Sequence, residues 1–167
     1  MSHDLRIGLG IDLHRLAPGR ACVISGVRID SELGPEAVSD GDVVLHAAVD
    51  AVLGAAGLDD LGTLFPENDP KNRGRDSAEF CRRALDLVRQ QGLRVSGLDV
   101  VVETEVPKLR PHRAAMRQRL GALFDVAADR VNIKGKSGEG LDAIGQQKAI
   151  RATVVALLAP MRTGGGD

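Results

Sequence analysis

The chain has 167 residues, 43% of them hydrophobic and 27% charged, which suits one folded domain and excludes wholesale disorder or a coiled coil. Its 22 Lys and Arg against 23 Asp and Glu leave a net charge of -1, and with only three aromatics (Phe65, Phe80, Phe124) nucleic-acid binding is not expected. No apolar run approaches the roughly 18–20 residues that cross a bilayer, and Cys22 and Cys81 form no C-x-x-C pair, so a cytoplasmic domain without membrane segment, disulfide scaffold or cysteine zinc site is expected.

Leu5 to His14 alternates apolar and small or polar residues with the period of a half-buried strand. Pro18-Gly19 turns the chain, and Cys22 to Ile29 reads as a second short strand. Ser39-Asp40-Gly41-Asp42 introduces a helix over Val43 to Gly57, with Ser39 as its cap, Asp42 near the positive end of its dipole and Gly57 as its stop. Leu58 to Arg75, rich in Pro, Gly, Asp and Asn, is a loop of about 18 residues, a length at which loops are usually functional. Asp76-Ser77-Ala78-Glu79 opens a helix whose apolar face is Phe80, Ala84, Leu87 and Val88 and whose stop is Gly92. Leu98 to Thr104 is a β-branched strand, and Pro111 starts a helix ending near Phe124. Val131 to Lys134 is a short strand leading into the loop Gly135-Lys136-Ser137-Gly138-Glu139-Gly140. Ile150 to Leu158 has the length of a helix but the β-branched content of a strand, and strand is the reading taken. Strands and helices interleave, so the expected fold is α/β (α+β): a single domain over residues 1–160, one mixed sheet with helices on one face, and a flexible tail over 161–167.

Asp12 and His14 leave the same face of the first strand roughly 7 Å apart, a workable bite for a metal whose third ligand comes from elsewhere. His46 is the candidate, lying between Asp42 and Asp50 on one stripe of the first helix. Two imidazoles and a carboxylate leave a fourth zinc position open, as catalytic zinc sites require. The alternative is a surface pair on the strand and a helix histidine satisfied by Asp42 or Asp50. Neither glycine-rich stretch completes a nucleotide-binding loop. The dinucleotide pattern after Gly8-Leu9-Gly10 needs glycine where Leu13 stands, and the phosphate-loop pattern before Gly135-Lys136-Ser137 needs glycine where Arg130 stands. What remains is a turn offering backbone N–H groups, Lys136, the Ser137 hydroxyl and the Glu139 carboxylate, which suits a phosphate with a magnesium ion or an ordinary tight turn. Pro107 to His112, with Lys108 and Arg110, is a rigid cationic turn.

In order, G-x-D-x-H over Gly10–His14, then S-D-G-D-V-x-L-H-A-x-x-D-A-x-L-G-A-A-G-L-x-D-x-G-x-L-F-P over Ser39–Pro66, then P-K-x-x-P-H from Pro107, then V-N-x-K from Val131 before a Glu-bearing loop, the chain resembles the 2-C-methyl-D-erythritol 2,4-cyclodiphosphate synthase family. The resemblance spans about Arg6 to Leu158 and is most specific over Ser39 to Pro66. It implies a homotrimer with active sites between subunits, working in non-mevalonate isoprenoid precursor biosynthesis. The implied reaction converts 4-diphosphocytidyl-2-C-methyl-D-erythritol 2-phosphate to 2-C-methyl-D-erythritol 2,4-cyclodiphosphate with release of CMP. It puts zinc, or a similar divalent metal, on Asp12, His14 and His46, and a second divalent ion, magnesium or manganese, on Glu139. Lys136, Ser137 and Glu139 then stand beside the reacting phosphates. Ser39, Asp60, Gly62, Phe65, Glu67 and Asp69 align with substrate-binding segments, and Thr104, Pro107, Lys108 and Arg110 with a cytidine pocket.

The departures from the family pattern are as informative. Val38 stands where the family has a histidine before S-D-G-D, and Ser137 where it has a threonine. Lys136 replaces a further threonine and is expected to restore the charge lost at position 38. Ala143 and Gln146 replace the phenylalanine and arginine linked to an anionic isoprenoid site on the trimer axis, so weak or absent binding there is expected. Two other readings stand beside the synthase: a diverged trimer that binds zinc and nucleotide without turnover, and a zinc phosphohydrolase with Asp50 as its base.

Overall fold

The computed structural model describes residues 4–66 and 68–161, so Glu67 and residues 162–167 of the expected tail lie outside the described residues. In chain order the elements are β1 (Arg6–Pro18), β2 (Cys22–Ile24), β3 (Val27–Ile29), β4 (Leu33–Glu36), α1 (Val43–Ala56), the single turn α2 (Leu61–Leu64) and α3 (Ser77–Gln90). There follow β5 (Leu93–Glu103), α4 (Arg113–Phe124), β6 (Val131–Lys136), the single turn α5 (Asp142–Gly145) and β7 (Ala149–Pro160). Five strands form one mixed sheet in the order β4-β1-β7-β5-β6, antiparallel throughout except for the parallel pair β5–β6. The α/β architecture, one sheet with helices on one face, is as the sequence indicates. No helix among the described residues is long and apolar enough to cross a membrane.

The alternation in β1 works in the reverse of its simplest reading. The helix-facing set is Gly8, Gly10, Asp12 and His14, and α1 lies almost directly on the strand backbone. A methyl group at Gly8 would come within 2.0 Å of the Ala51 carbonyl oxygen, and one at Gly10 within 1.9 Å of that of Ala47. Small residues on both surfaces thus let helix and strand approach until His46 reaches across to Asp12 and His14. The large apolar set, Ile7, Leu9, Ile11 and Leu13, faces away from the helices and is 55–73% exposed. Alternation along the strand thus leaves one face of β1 as an exposed apolar stripe.

Helix α1 is buried nearly all round, with β1 and β7 beneath and α3 beside it. Its cap is Asp42 rather than Ser39: one carboxylate oxygen accepts the N–H groups of Val44 and Leu45, each at 3.1 Å. The same carboxylate also accepts the N–H groups of Ser25 and Gly26, which stitches the β2–β3 turn to the helix start. Burial pushes Asp42 up to about 6, against the pull of those N–H donors. Gly57 ends the helix at φ 73°, the left-handed conformation a glycine stop supplies.

Cys22 to Ile29 is a hairpin rather than one strand, because Ser25 and Gly26 both take positive φ (56° and 68°), the geometry of a two-residue turn. The β4 edge strand escapes sequence reading because Gly34 and Pro35 break its pattern. Strand β5 begins at Leu93, earlier than expected, with an irregularity between Val95 and Gly97. The loop after α1 contains α2 and a 3-10 turn at Pro70–Asn72, and Pro111 sits in a 3-10 turn just before α4. The ambiguous C-terminal segment is a strand, β7, as read.

Candidate active site

Asp12 and His14 project from β1 and His46 from α1, and their ligand atoms converge. Asp12 Oδ2 lies 2.9 Å from His14 Nε2 and 3.0 Å from His46 Nδ1, and the two ring nitrogens are 3.3 Å apart. Ligands held about 2.0–2.1 Å from a tetrahedral zinc ion stand about 3.3 Å from one another, so this donor set fits such an ion in type and spacing. Burial raises Asp12, but its hydrogen bonds and charge interactions with the two histidines hold it far below the usual carboxylate range. Burial lowers His46, yet the hydrogen bond and charge of Asp12, with the charges of Asp42 and Asp40, leave it raised.

The other ring nitrogen of His46 is held from behind. Nε2 is 2.9 Å from the buried Ser77 Oγ and 3.1 Å from Ser39 Oγ. Ser77 Oγ in turn donates to Asp40, which also accepts the Ser77 N–H at 3.0 Å. With Nε2 engaged by hydroxyls, Nδ1 is free to face the cluster, the outer-shell arrangement that sets a ligand's tautomer and ring plane. Sequence reading missed Ser77 and Asp40 in this role. Both were visible only as parts of helix-start motifs, since the link between them spans 37 positions and needs α3 to pack on α1. Asp50 takes no part in the cluster: it accepts the Leu61 N–H at 2.7 Å and so fixes the start of α2.

The cluster opens into a cavity of about 310 Å³ whose other walls include Val38, Ser39, Gly62, Phe65, Asn72 and Phe80. Asp60 caps α2 through the Thr63 N–H at 2.8 Å, and Asp69 caps the following 3-10 turn through the Lys71 N–H at 3.0 Å. Neither lines this cavity. Phe65 and Phe80, two of the three aromatics of the chain, pack with ring centroids 4.6 Å apart, and Phe80 lies 5.9 Å from the His46 ring.

A second cavity, of about 320 Å³, is lined by Thr104, Pro107, Lys108, Arg110, Lys136 and Ser137, joined by Arg113, which sequence reading did not single out. Its cationic side chains converge from the turn after β5, the end of β6 and the start of α4. Glu139 is exposed, at φ 53°, and accepts the Ser137 hydroxyl at 3.1 Å; Glu105 accepts the Gly138 N–H at 2.8 Å. Ala143 and Gln146 are exposed around α5. The two cavities share no lining residue. One chain therefore does not place Lys136 and Ser137 in the cavity of Asp12, His14 and His46, and Glu139 lines neither cavity.

The YgbB family model matches residues 5–159. The chain is 46% identical over 153 residues to a 2-C-methyl-D-erythritol 2,4-cyclodiphosphate synthase of Symbiobacterium thermophilum, covering 92% of this chain and 98% of that one. It is 45% identical over 159 residues to the synthase of the same name from Bordetella avium, covering 95% and 98%. Among solved structures it is similar to that of IspF from Plasmodium falciparum in complex with CDP, with a TM-score of 0.84 at 32% identity over 97% of this chain and 100% of that one.

Proposed function

The chain belongs to the YgbB family, and from that premise we infer that it carries out the reaction of the 2-C-methyl-D-erythritol 2,4-cyclodiphosphate synthases it matches. It is an enzyme, a phosphorus–oxygen lyase of isoprenoid precursor biosynthesis. In the reaction an oxygen of the substrate's 2-phosphate bonds to the β-phosphorus of the cytidine diphosphate ester. The bond from that phosphorus to the CMP oxygen breaks, CMP leaves with the electron pair, and the cyclic diphosphate remains. No water is consumed and no bond to the protein forms, so the protein's work is positioning and charge stabilisation.

In our reading Asp12, His14 and His46 hold zinc or a similar divalent metal, and Glu139 holds magnesium or manganese. When bound, these ions neutralise and align the phosphate oxygens. Phe65, Glu67 and Asp69 belong to the segment over the methylerythritol end, Asp60 and Gly62 to the ribose and substrate-binding segment, and Ser39 also binds substrate. Thr104, Pro107, Lys108 and Arg110 receive the cytidine diphosphate end, where cationic side chains and backbone groups take the place of a stacking aromatic. The Ser137 hydroxyl and Lys136 donate to the phosphates between the two ends. This division requires the two cavities to meet. The exposed stripe of Ile7, Leu9, Ile11 and Leu13 supports a homotrimer of domains spanning residues 1–160, closed through the open face of the sheet, in which the second cavity of one subunit faces the first of its neighbour. Without the expected cation and aromatic at positions 146 and 143, we read no isoprenoid diphosphate site on the trimer axis.

The observation that carries the reading is the convergence of Asp12, His14 and His46 at the mouth of a cavity, with His46 fixed from behind by Ser77. The test is incubation of the zinc-loaded protein with 4-diphosphocytidyl-2-C-methyl-D-erythritol 2-phosphate and magnesium, followed by phosphorus NMR. CMP with a cyclic diphosphate is the expected outcome. Unchanged substrate with zinc bound would favour a diverged binding protein, and phosphate release without ring closure a phosphohydrolase. The geometry does not favour the latter: Asp50, its candidate base, is engaged by the Leu61 N–H and is not among the described residues lining the cavity.

A further inference from the structure

Arg75 lies in the turn before α3 and does not itself line the first cavity, yet it touches three pieces of its wall. Its guanidinium carbon lies 5.6 Å from the Phe65 ring centroid and 5.4 Å from that of Phe80, within cation–π range of both. Nη1 donates to Asn72 Oδ1 at 3.1 Å, and Nε donates to Glu79 Oε2 at 2.7 Å. Asn72, only 5% exposed, passes the constraint on through Nδ2, which donates to the Pro66 carbonyl at 2.9 Å. The backbone of the same turn grips the opposite wall: the Arg75 carbonyl accepts the Asp40 N–H at 3.1 Å, and the Gly74 N–H donates to the Val38 carbonyl at 2.7 Å.

We propose that Arg75 is a positioning residue for substrate binding, a hub that fastens the Phe65–Asn72 wall and the Val38–Ser39 wall of the metal cavity to α3. The planar guanidinium holds the Phe65 and Asn72 side because it lies against both phenyl rings, which sit together on one side of it, and has two separate N–H donors for Asn72 and Glu79, while the backbone of Gly74 and Arg75 holds the Val38–Ser39 side. A lysine ammonium carries the same charge but cannot engage all four at once. Without the hub, these walls must be ordered each time substrate enters. The cost falls on binding rather than on the chemical step, because the Arg75 side chain contacts Asn72, Glu79, Phe65 and Phe80 and none of the three metal ligands. The proposal rests on the synthase reading for its substrate, while its structural half does not.

The test compares Arg75→Ala and Arg75→Lys with the wild type and with Arg73→Ala, which removes a neighbouring exposed arginine. Arg75→Ala is expected to raise the substrate KM about tenfold while kcat stays within about threefold, with zinc per chain unchanged. Amide hydrogen exchange over residues 61–74, measured without substrate, is expected to quicken. Arg75→Lys should recover less than half of both changes, and Arg73→Ala should show neither. Unchanged KM and exchange in Arg75→Ala would overturn the proposal, as would full recovery by lysine or a fall in kcat at constant KM. Should Arg75→Ala fail to fold, Arg75→Lys is read against the wild type by the same criteria. If the wild type itself forms no cyclic product, the synthase reading fails, and exchange over 61–74 alone decides the role of Arg75.

Discussion

Asp12, His14 and His46 stand on two long regular elements, His46 held from behind by a third, whereas Lys136 ends β6 and Ser137 and Glu139 stand exposed on the glycine-rich turn after it, where Glu139 takes a φ of 53°. The difference follows from what each end has to do. A small ion tolerates little displacement of its ligands, so the scaffold must place them within about half an ångström before the ion arrives. Phosphate oxygens are spread out and charged, and a cationic cavity with hydroxyl and N–H donors captures them from a less rigid frame. The rigid end is complete within one chain, while the turn-built end lacks a counterpart there. Metal binding should therefore be a property of the chain and turnover a property of the assembly.

Removing a ligand is the strongest way to test the first half of that contrast. His46→Ala is expected to lose bound zinc and to lower cyclic-diphosphate formation by at least about 10³-fold, read by elemental analysis and phosphorus NMR. Retained zinc with normal turnover would show that the convergence at His46 is not the metal site. The second half is tested at the sheet. Leu9→Asp places a charge in the middle of the exposed stripe and should split the assembly, seen by light scattering, with activity down about 10²-fold or more while zinc per chain stays unchanged. An active monomer would break the assignment of the two ends to neighbouring subunits.

Glu139→Gln probes the turn-built end directly. Turnover should fall about 10²-fold as the second ion loses its carboxylate, again with zinc unchanged. Loss of zinc in this variant would mean that the two ends are not independent. A gentler change at the rigid end is Ser77→Ala, which leaves all three ligands but removes the nearer of the two hydroxyls at His46 Nε2, that of Ser39 remaining. Zinc affinity, measured by chelator competition, should drop about 10- to 100-fold, the usual cost of an outer-shell partner.

The same contrast separates what was legible in the sequence from what was not. Asp12, His14 and His46 could be read because strand alternation and a well-marked helix start determine which way each points. Ser77 could not, because its hydroxyl reaches His46 only after α3 has packed on α1. The motif points to Ser39 as the cap, but Asp42 has the shorter reach to the helix N–H groups and also closes the β2–β3 turn, which leaves Ser39 to His46. The strand β1 was legible as a strand, but not which of its faces would be covered. Gly8 and Gly10 look like the weaker face by hydrophobicity, yet only glycine admits the Ala47 and Ala51 carbonyls so closely. The exposed apolar face is then the one that the proposed trimer would cover.

The smallest expected effect is the most discriminating about charge. Val38 lines the metal cavity and is 40% exposed, while Lys136 lines the cationic cavity. Within one chain they belong to different cavities, so Lys136 can stand in for a histidine at position 38 only across a subunit boundary. If it does, Val38→His in the wild-type background should change turnover by less than about threefold, because the phosphate it would meet already has its cation. The same substitution in a Lys136→Met background should recover a substantial part of what Lys136→Met loses, since the imidazole then supplies the missing charge. A large gain from Val38→His alone would mean that position 38 lacks a cation in the assembled enzyme. Equal small effects in both backgrounds would mean that Lys136 and position 38 do not meet the same phosphate, and the two ends would have to be joined in some other way.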